Sequence, residues 1–135
     1  MRRIVLASHG DLAAGMKGSL EIIAGPLPHV TALSAYVEGA PDLRGALEAL
    51  VEGMGEGDEL VLVTDLLGGS VNTEASQLSG IPNVYVVTGM NLGLVLSLAL
   101  SDEPNTASLI EECLEGARAQ LVRVVPASGE DDEDF

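Results

Sequence analysis

Three short stretches carry residue types suited to surface chemistry. Ser8-His9-Gly10 places an imidazole directly after an apolar run, with a glycine removing bulk beside it. A neutral imidazole offers one lone-pair nitrogen for attack and one N–H that needs an acceptor. Asp65 closes a second apolar run and would supply that acceptor if the two runs are neighbouring strands. A carboxylate at such a place costs desolvation unless it is paired, and the pairing would orient the ring and stabilise it when charged. Gly68-Gly69-Ser70 follows, where amides, a hydroxyl and a helix start make a small cradle for an anion such as phosphate. Each piece also has a plainer reading: a capping or solvent-facing histidine, a helix N-cap aspartate, an ordinary turn.

Other chemistries find less support. The chain has no Gly-x-x-x-x-Gly-Lys-Ser/Thr loop, no Gly-x-Gly-x-x-Gly after a strand and no Gly-x-Ser-x-Gly elbow. With Cys113 as the single cysteine and His9 and His29 as the two histidines, no metal cluster is expected. His29, between Pro28 and a strand, reads as a surface residue. Met90-Asn91-Leu92-Gly93 reads equally well as a lining of the site or as a helix cap.

The elements that must position these residues alternate between β-type runs and helical patterns. Arg3 to Ser8 is a continuous apolar strand, and Asp11 to Ala24 a helix capped by Asp11 and stopped by Gly25-Pro26. Val30 to Tyr36 is a weaker strand. Pro41 suits a first helical position, followed by Leu43, Ala46, Leu47, Leu50, Val51 and Met54 at helical spacing. Glu59 to Thr64 is the most apolar strand, and a helix from about Val71 to Leu78 follows its turn. Asn83 to Thr88 is a further strand, Asn91 to Leu100 a further helix, and Leu109, Ile110, Cys113, Leu114 and Ala117 mark the face of a last helix. Leu121 to Val125 suits a fifth strand closed by Pro126.

Successive β-then-α units predict an α/β fold: an open, mainly parallel sheet with helices on both faces. In such folds ligands bind beyond the carboxyl ends of the strands, where strand order reverses. The site is therefore sought just after Ser8, Tyr36, Thr64 and Thr88. The 135 residues suit one domain over residues 1–126, followed by an acidic tail, 127–135, expected to be disordered.

Composition narrows the partners. Nearly half the chain is apolar, yet only Tyr36, Tyr85 and Phe135 are aromatic, so the core is built from aliphatic side chains. The net charge of −15 makes the chain a poor candidate for nucleic acid or an anionic membrane, and would suit a protein partner with a basic face. Leu92 to Leu100, the longest apolar run, has about half the length of a bilayer helix. The lone cysteine and the absence of a signal-peptide pattern lead to the expectation of a cytoplasmic protein.

Taken together, Ser8-His9-Gly10, the stretch Asp65-Leu66-Leu67-Gly68-Gly69-Ser70-Val71-Asn72 and the turn Gly89-Met90-Asn91-Leu92 resemble the enzyme IIA domains of the mannose, fructose and sorbose phosphotransferase family. The resemblance runs from about Arg3 to Val125, with Val71 and Gly93 standing where many members carry proline. It implies a phosphoryl carrier. His9 would accept phosphate from the phosphocarrier protein HPr and pass it to an enzyme IIB domain, with a membrane partner only beyond that. Asp65 would orient His9, and Gly68, Gly69 and Ser70 would bind the phosphoryl oxygens. No cofactor is implied. Members are often homodimers that exchange a final antiparallel strand, for which Leu121 to Val125 is the candidate. Two other readings share the fold: the phosphotransfer subunit of a phosphoenolpyruvate-dependent dihydroxyacetone kinase, and a non-catalytic regulatory module. A nucleotide-binding domain would require loops that are missing.

Overall fold

A computed structural model describes residues 1–127. The chain runs β1 (Arg2–His9), α1 (Leu12–Ala24), β2 (Val30–Ala35), α2 (Leu43–Glu52), β3 (Glu59–Thr64), α3 (Ser70–Ser76), β4 (Val84–Thr88), α4 (Leu92–Leu100) and α5 (Thr106–Ala119). All ladders are parallel and the strand order is β2-β1-β3-β4. From β1 the chain crosses to β2 on one side, then returns to build β3 and β4 on the other. The order therefore reverses between β1 and β3, whose carboxyl ends lie side by side: Ala7 pairs with Thr64.

Strands covered on both faces need consecutive apolar residues, and β1 has them from Ile4 to Ala7 and β3 from Leu60 to Val63. Along β1, Ile4 and Leu6 face a core shared with α1, α4 and α5. Val5 and Ala7 face the other core, with α2 and α3. In β3, Leu60, Val61, Leu62 and Val63 are all essentially inaccessible. Each such side chain contributes about 1.5–3 kcal/mol on burial. The two central strands thus form a rigid base for whatever their ends carry.

The element boundaries differ from the sequence expectation where a side chain competes for the backbone. Asp11 precedes α1 but makes no capping bond. Its near-helical backbone (φ −89°, ψ 11°) is not the extended conformation from which a cap reaches back. Ser8 takes over that role from the strand, its Oγ accepting the Ala13 N–H at 2.7 Å. Pro41 is not the first residue of α2, because Asp42 caps the helix by accepting the Gly45 N–H at 3.0 Å. α3 ends at Ser76, and the chain continues to Ser79 in tighter turns such as Leu78 N–H to Ala75 O. His29 is half-buried and not merely a surface residue; its Nε2 bonds Ala99 O at 2.8 Å, tying the entry of β2 to α4.

Leu121 to Val125, expected as a fifth strand, pairs with no strand among the described residues, and its side chains are exposed. A strand exists only through its ladder, and α5 delivers this segment to the surface, not to an edge of the sheet. The acidic tail expected at 127–135 lies, from residue 128 onward, outside the described residues.

Candidate active site

His9 is the last residue of β1 and is followed by Gly10 at φ +58°, a turn that a side chain would strain. Asp65 is the first residue beyond β3. Its Oδ2 accepts the His9 backbone N–H at 2.8 Å and lies 2.9 Å from the ring Nδ1. A carboxylate can only accept, so the imidazole proton resides on Nδ1 and the lone pair is left on Nε2. Burial alone would raise the Asp65 carboxyl. The backbone N–H of His9, the ring hydrogen bond and the ring's charge outweigh it and hold the carboxyl below its ordinary value of 3.8. The Asp65 side chain is 10% exposed and that of His9 43%. The base of the pair is thus walled in while the ring stands open to solvent.

On the far side of the ring, Nε2 lies 3.1 Å from the Oγ of Ser70, the first residue of α3. Ser70 Oγ in turn accepts the Tyr36 hydroxyl at 2.8 Å. Gly69 makes room for the ring: a Cβ there would come within 3.2 Å of both His9 Cε1 and Leu66 O. The structure thus brings His9, Asp65, Gly69 and Ser70 together.

The glycines contribute differently from expectation. The Gly68 N–H donates to Asn72 Oδ1 at 3.2 Å and the Gly69 N–H to Leu66 O at 3.0 Å, so both amides are committed within the loop. Gly68, at φ +78°, shapes the turn, and Gly69 leaves space. Asn72 holds the loop from below, also donating from Nδ2 to the buried Thr64 Oγ1 at 3.0 Å.

Two participants were missed in the sequence. Asn72 was quoted only as part of a motif, and its helical position beneath the loop is a tertiary fact. Tyr36 closed a strand, one of the positions to be searched, but nothing local showed that its hydroxyl reaches Ser70. Asn91 turns out to be a helix cap, accepting the Leu94 N–H at 2.9 Å.

Leu12, Leu66 and Leu67 are exposed around this centre, which gives the site an apolar rim in a very acidic chain. Cys113 is buried, and desolvation together with Glu112 pushes its thiol up, so it is no competing nucleophile. Among the described residues, no three His, Cys, Asp or Glu side chains converge on a point where a metal could bind, and no helix is long and apolar enough to cross a membrane.

Residues 3–115 match the family of the fructose IIA component of the sugar phosphotransferase system, here called PTS. The chain belongs to this IIA family. Solved structures agree with the assignment. A Klebsiella pneumoniae protein assigned to a phosphoenolpyruvate-dependent sugar PTS permease is 39% identical, with 90% of each chain covered and a TM-score of 0.84. The EIIA component from Streptococcus agalactiae is 28% identical over 91% of this chain and 97% of its own, with a TM-score of 0.80. The mannose/sorbose-specific IIA subunit from Enterococcus faecalis is 25% identical over 94% and 98%, with a TM-score of 0.78. This IIA chain is therefore a phosphotransfer component of a sugar phosphotransferase system.

Proposed function

We propose that His9 carries the phosphoryl group, bonded through Nε2, between HPr and an enzyme IIB domain. The observation that carries this reading is the polarity of the ring: Nδ1–H is held by a largely buried carboxylate, while Nε2, on an exposed side chain, has the Ser70 hydroxyl beside it. In the transfer, the Nε2 lone pair forms a bond to phosphorus as the bond from phosphorus to the donor nitrogen breaks. The donor imidazole leaves with the electron pair. The Nδ1 proton stays in place, and the positive charge that develops on the ring lies against Asp65. Such a step needs in-line positioning and stabilised equatorial oxygens more than a strong base. Ser70 Oγ is the donor for those oxygens, and the Gly68-Gly69 turn shapes the space they occupy.

A 43% exposed ring suits a donor that is itself a protein side chain, and the leucine rim suits docking of two proteins. Net charge −15 favours partners with a basic face. The exposed, unpaired Leu121 to Val125 supports a homodimer in which that segment adds to the sheet of a second copy. We place the protein in the cytoplasm, where such partners operate.

The test is intact-mass spectrometry after mixing the protein with phosphoenolpyruvate, enzyme I and HPr. One acid-labile phosphoryl group is expected on the wild type and none on His9→Ala, with the two proteins equally folded by circular dichroism. Continued labelling of His9→Ala would move the site elsewhere.

A further inference from the structure

Two residues other than glycine have positive φ among the described residues, Asn83 at 65° and Tyr36 at 62°. Asparagine tolerates this conformation; a bulky aromatic residue does not adopt it without a reason. Burial does not provide one, because Tyr36 is 65% exposed. A strained, exposed aromatic residue beside a reactive centre is the pattern in which backbone strain serves function.

The surroundings of Tyr36 show what the strain achieves. The carbonyl of Ala35 accepts the Gly10 N–H at 2.8 Å, which fastens the end of β2 to the turn that carries His9. From that anchor the chain turns through Tyr36 and brings its ring to 5.5 Å from the imidazole, tilted by 44°. It also aims the hydroxyl at Ser70 Oγ. The directions of the hydrogen bonds follow from the Asp65 contact. Nδ1 keeps the ring proton, so Nε2 accepts from Ser70, and Ser70 accepts from Tyr36.

We infer that Tyr36 is a positioning residue for phosphoryl transfer, acting through Ser70. At rest the Ser70 proton occupies the lone pair that must attack. When a phosphoryl group arrives, that proton has to turn from Nε2 to a phosphoryl oxygen by rotation about Cβ–Oγ. The Tyr36 hydroxyl holds Oγ in place during the rotation, so the donor is already set when charge builds on the oxygens. This inference rests on the phosphocarrier reading and adds to it a residue outside the motifs that suggested it.

The experiment measures initial rates of phosphorylation by phosphorylated HPr for the wild type, Tyr36→Phe, Tyr36→Gly, Ser70→Ala and the double variant Tyr36→Phe/Ser70→Ala. Tyr36→Phe removes only the hydroxyl. It should lower the maximal rate by about three- to tenfold, the worth of one neutral hydrogen bond. The half-saturating donor concentration and the melting temperature should not change. In the Ser70→Ala background the same substitution should have no further effect. Tyr36→Gly should lose at least as much rate and melt no lower than the wild type, because glycine relieves the backbone. A wild-type maximal rate for Tyr36→Phe, or an equal loss in both backgrounds, would overturn the inference. A loss confined to half-saturation would also overturn it and make Tyr36 a docking residue. In each of those outcomes the wild type is still labelled, which separates them from failure of the carrier reading itself. An unlabelled wild type would sink that reading and this inference together.

Discussion

Asp65 Oδ2 accepts two hydrogen bonds from His9, one from the backbone N–H at 2.8 Å and one from the ring Nδ1 at 2.9 Å. The same oxygen fixes where β1 ends and which way the imidazole faces. Its neighbour Oδ1 is buried with no hydrogen-bond partner among the described residues.

Replacing Asp65 by Ala should leave a folded protein whose transfer is slower by about ten- to hundredfold, the usual cost of losing an orienting partner. Either ring nitrogen could then hold the proton, and the nucleophilic one would be protonated part of the time. Single-turnover phosphorylation measures the effect. An unchanged rate would remove Asp65 from the mechanism.

The depressed Asp65 carboxyl makes a signed prediction for acid stability. A group whose native value lies below 3.8 stabilises the fold fully above 3.8, and that contribution disappears as pH falls through the native value. The melting temperature of the wild type should therefore exceed that of Asp65→Asn most clearly near neutral pH. The gap should close as the pH drops below 3.8. A gap that stays constant down to pH about 2 would show that the carboxylate charge is not what matters.

Gly69→Ala places a methyl group within 3.2 Å of His9 Cε1 and of a backbone carbonyl. The carbonyl is fixed by the loop, so the imidazole must give way, and a small displacement of an attacking atom is costly. Transfer should fall by about tenfold or more, while a Gly15→Ala control, where a Cβ meets nothing, should match the wild type. Equal rates for the two variants would contradict the close fit.

Light scattering at micromolar concentration should give the mass of a dimer, and truncation before Leu121 should give a monomer. A monomeric full chain would contradict the exchange of that segment.

Much of this protein was legible one residue at a time. The apolar runs within Arg3 to Ser8 and Glu59 to Thr64 read as buried strands, because Ile4 to Ala7 and Leu60 to Val63 are short, rich in branched aliphatic residues and offer water nothing on either face. Their alternation with helical patterns implied a parallel sheet, and the ends of those runs pointed to His9 and Asp65. The motifs from Ser8 and from Asp65 were enough to suggest the family. These readings succeed because periodicity and residue type are local properties.

Tertiary structure decided how those ends meet. The register pairing Ala7 with Thr64 is what sets one Asp65 oxygen against both His9 donors, and no local signal encodes a register. The capping of α1 by Ser8 in place of Asp11, the commitment of the Gly68 and Gly69 amides within their loop, and the reach of the Tyr36 hydroxyl to Ser70 each depend on groups far apart in sequence or on one backbone angle. Hydrogen bonds are directional and short, so their partners are settled only when the fold has placed donor and acceptor within about 3 Å of each other.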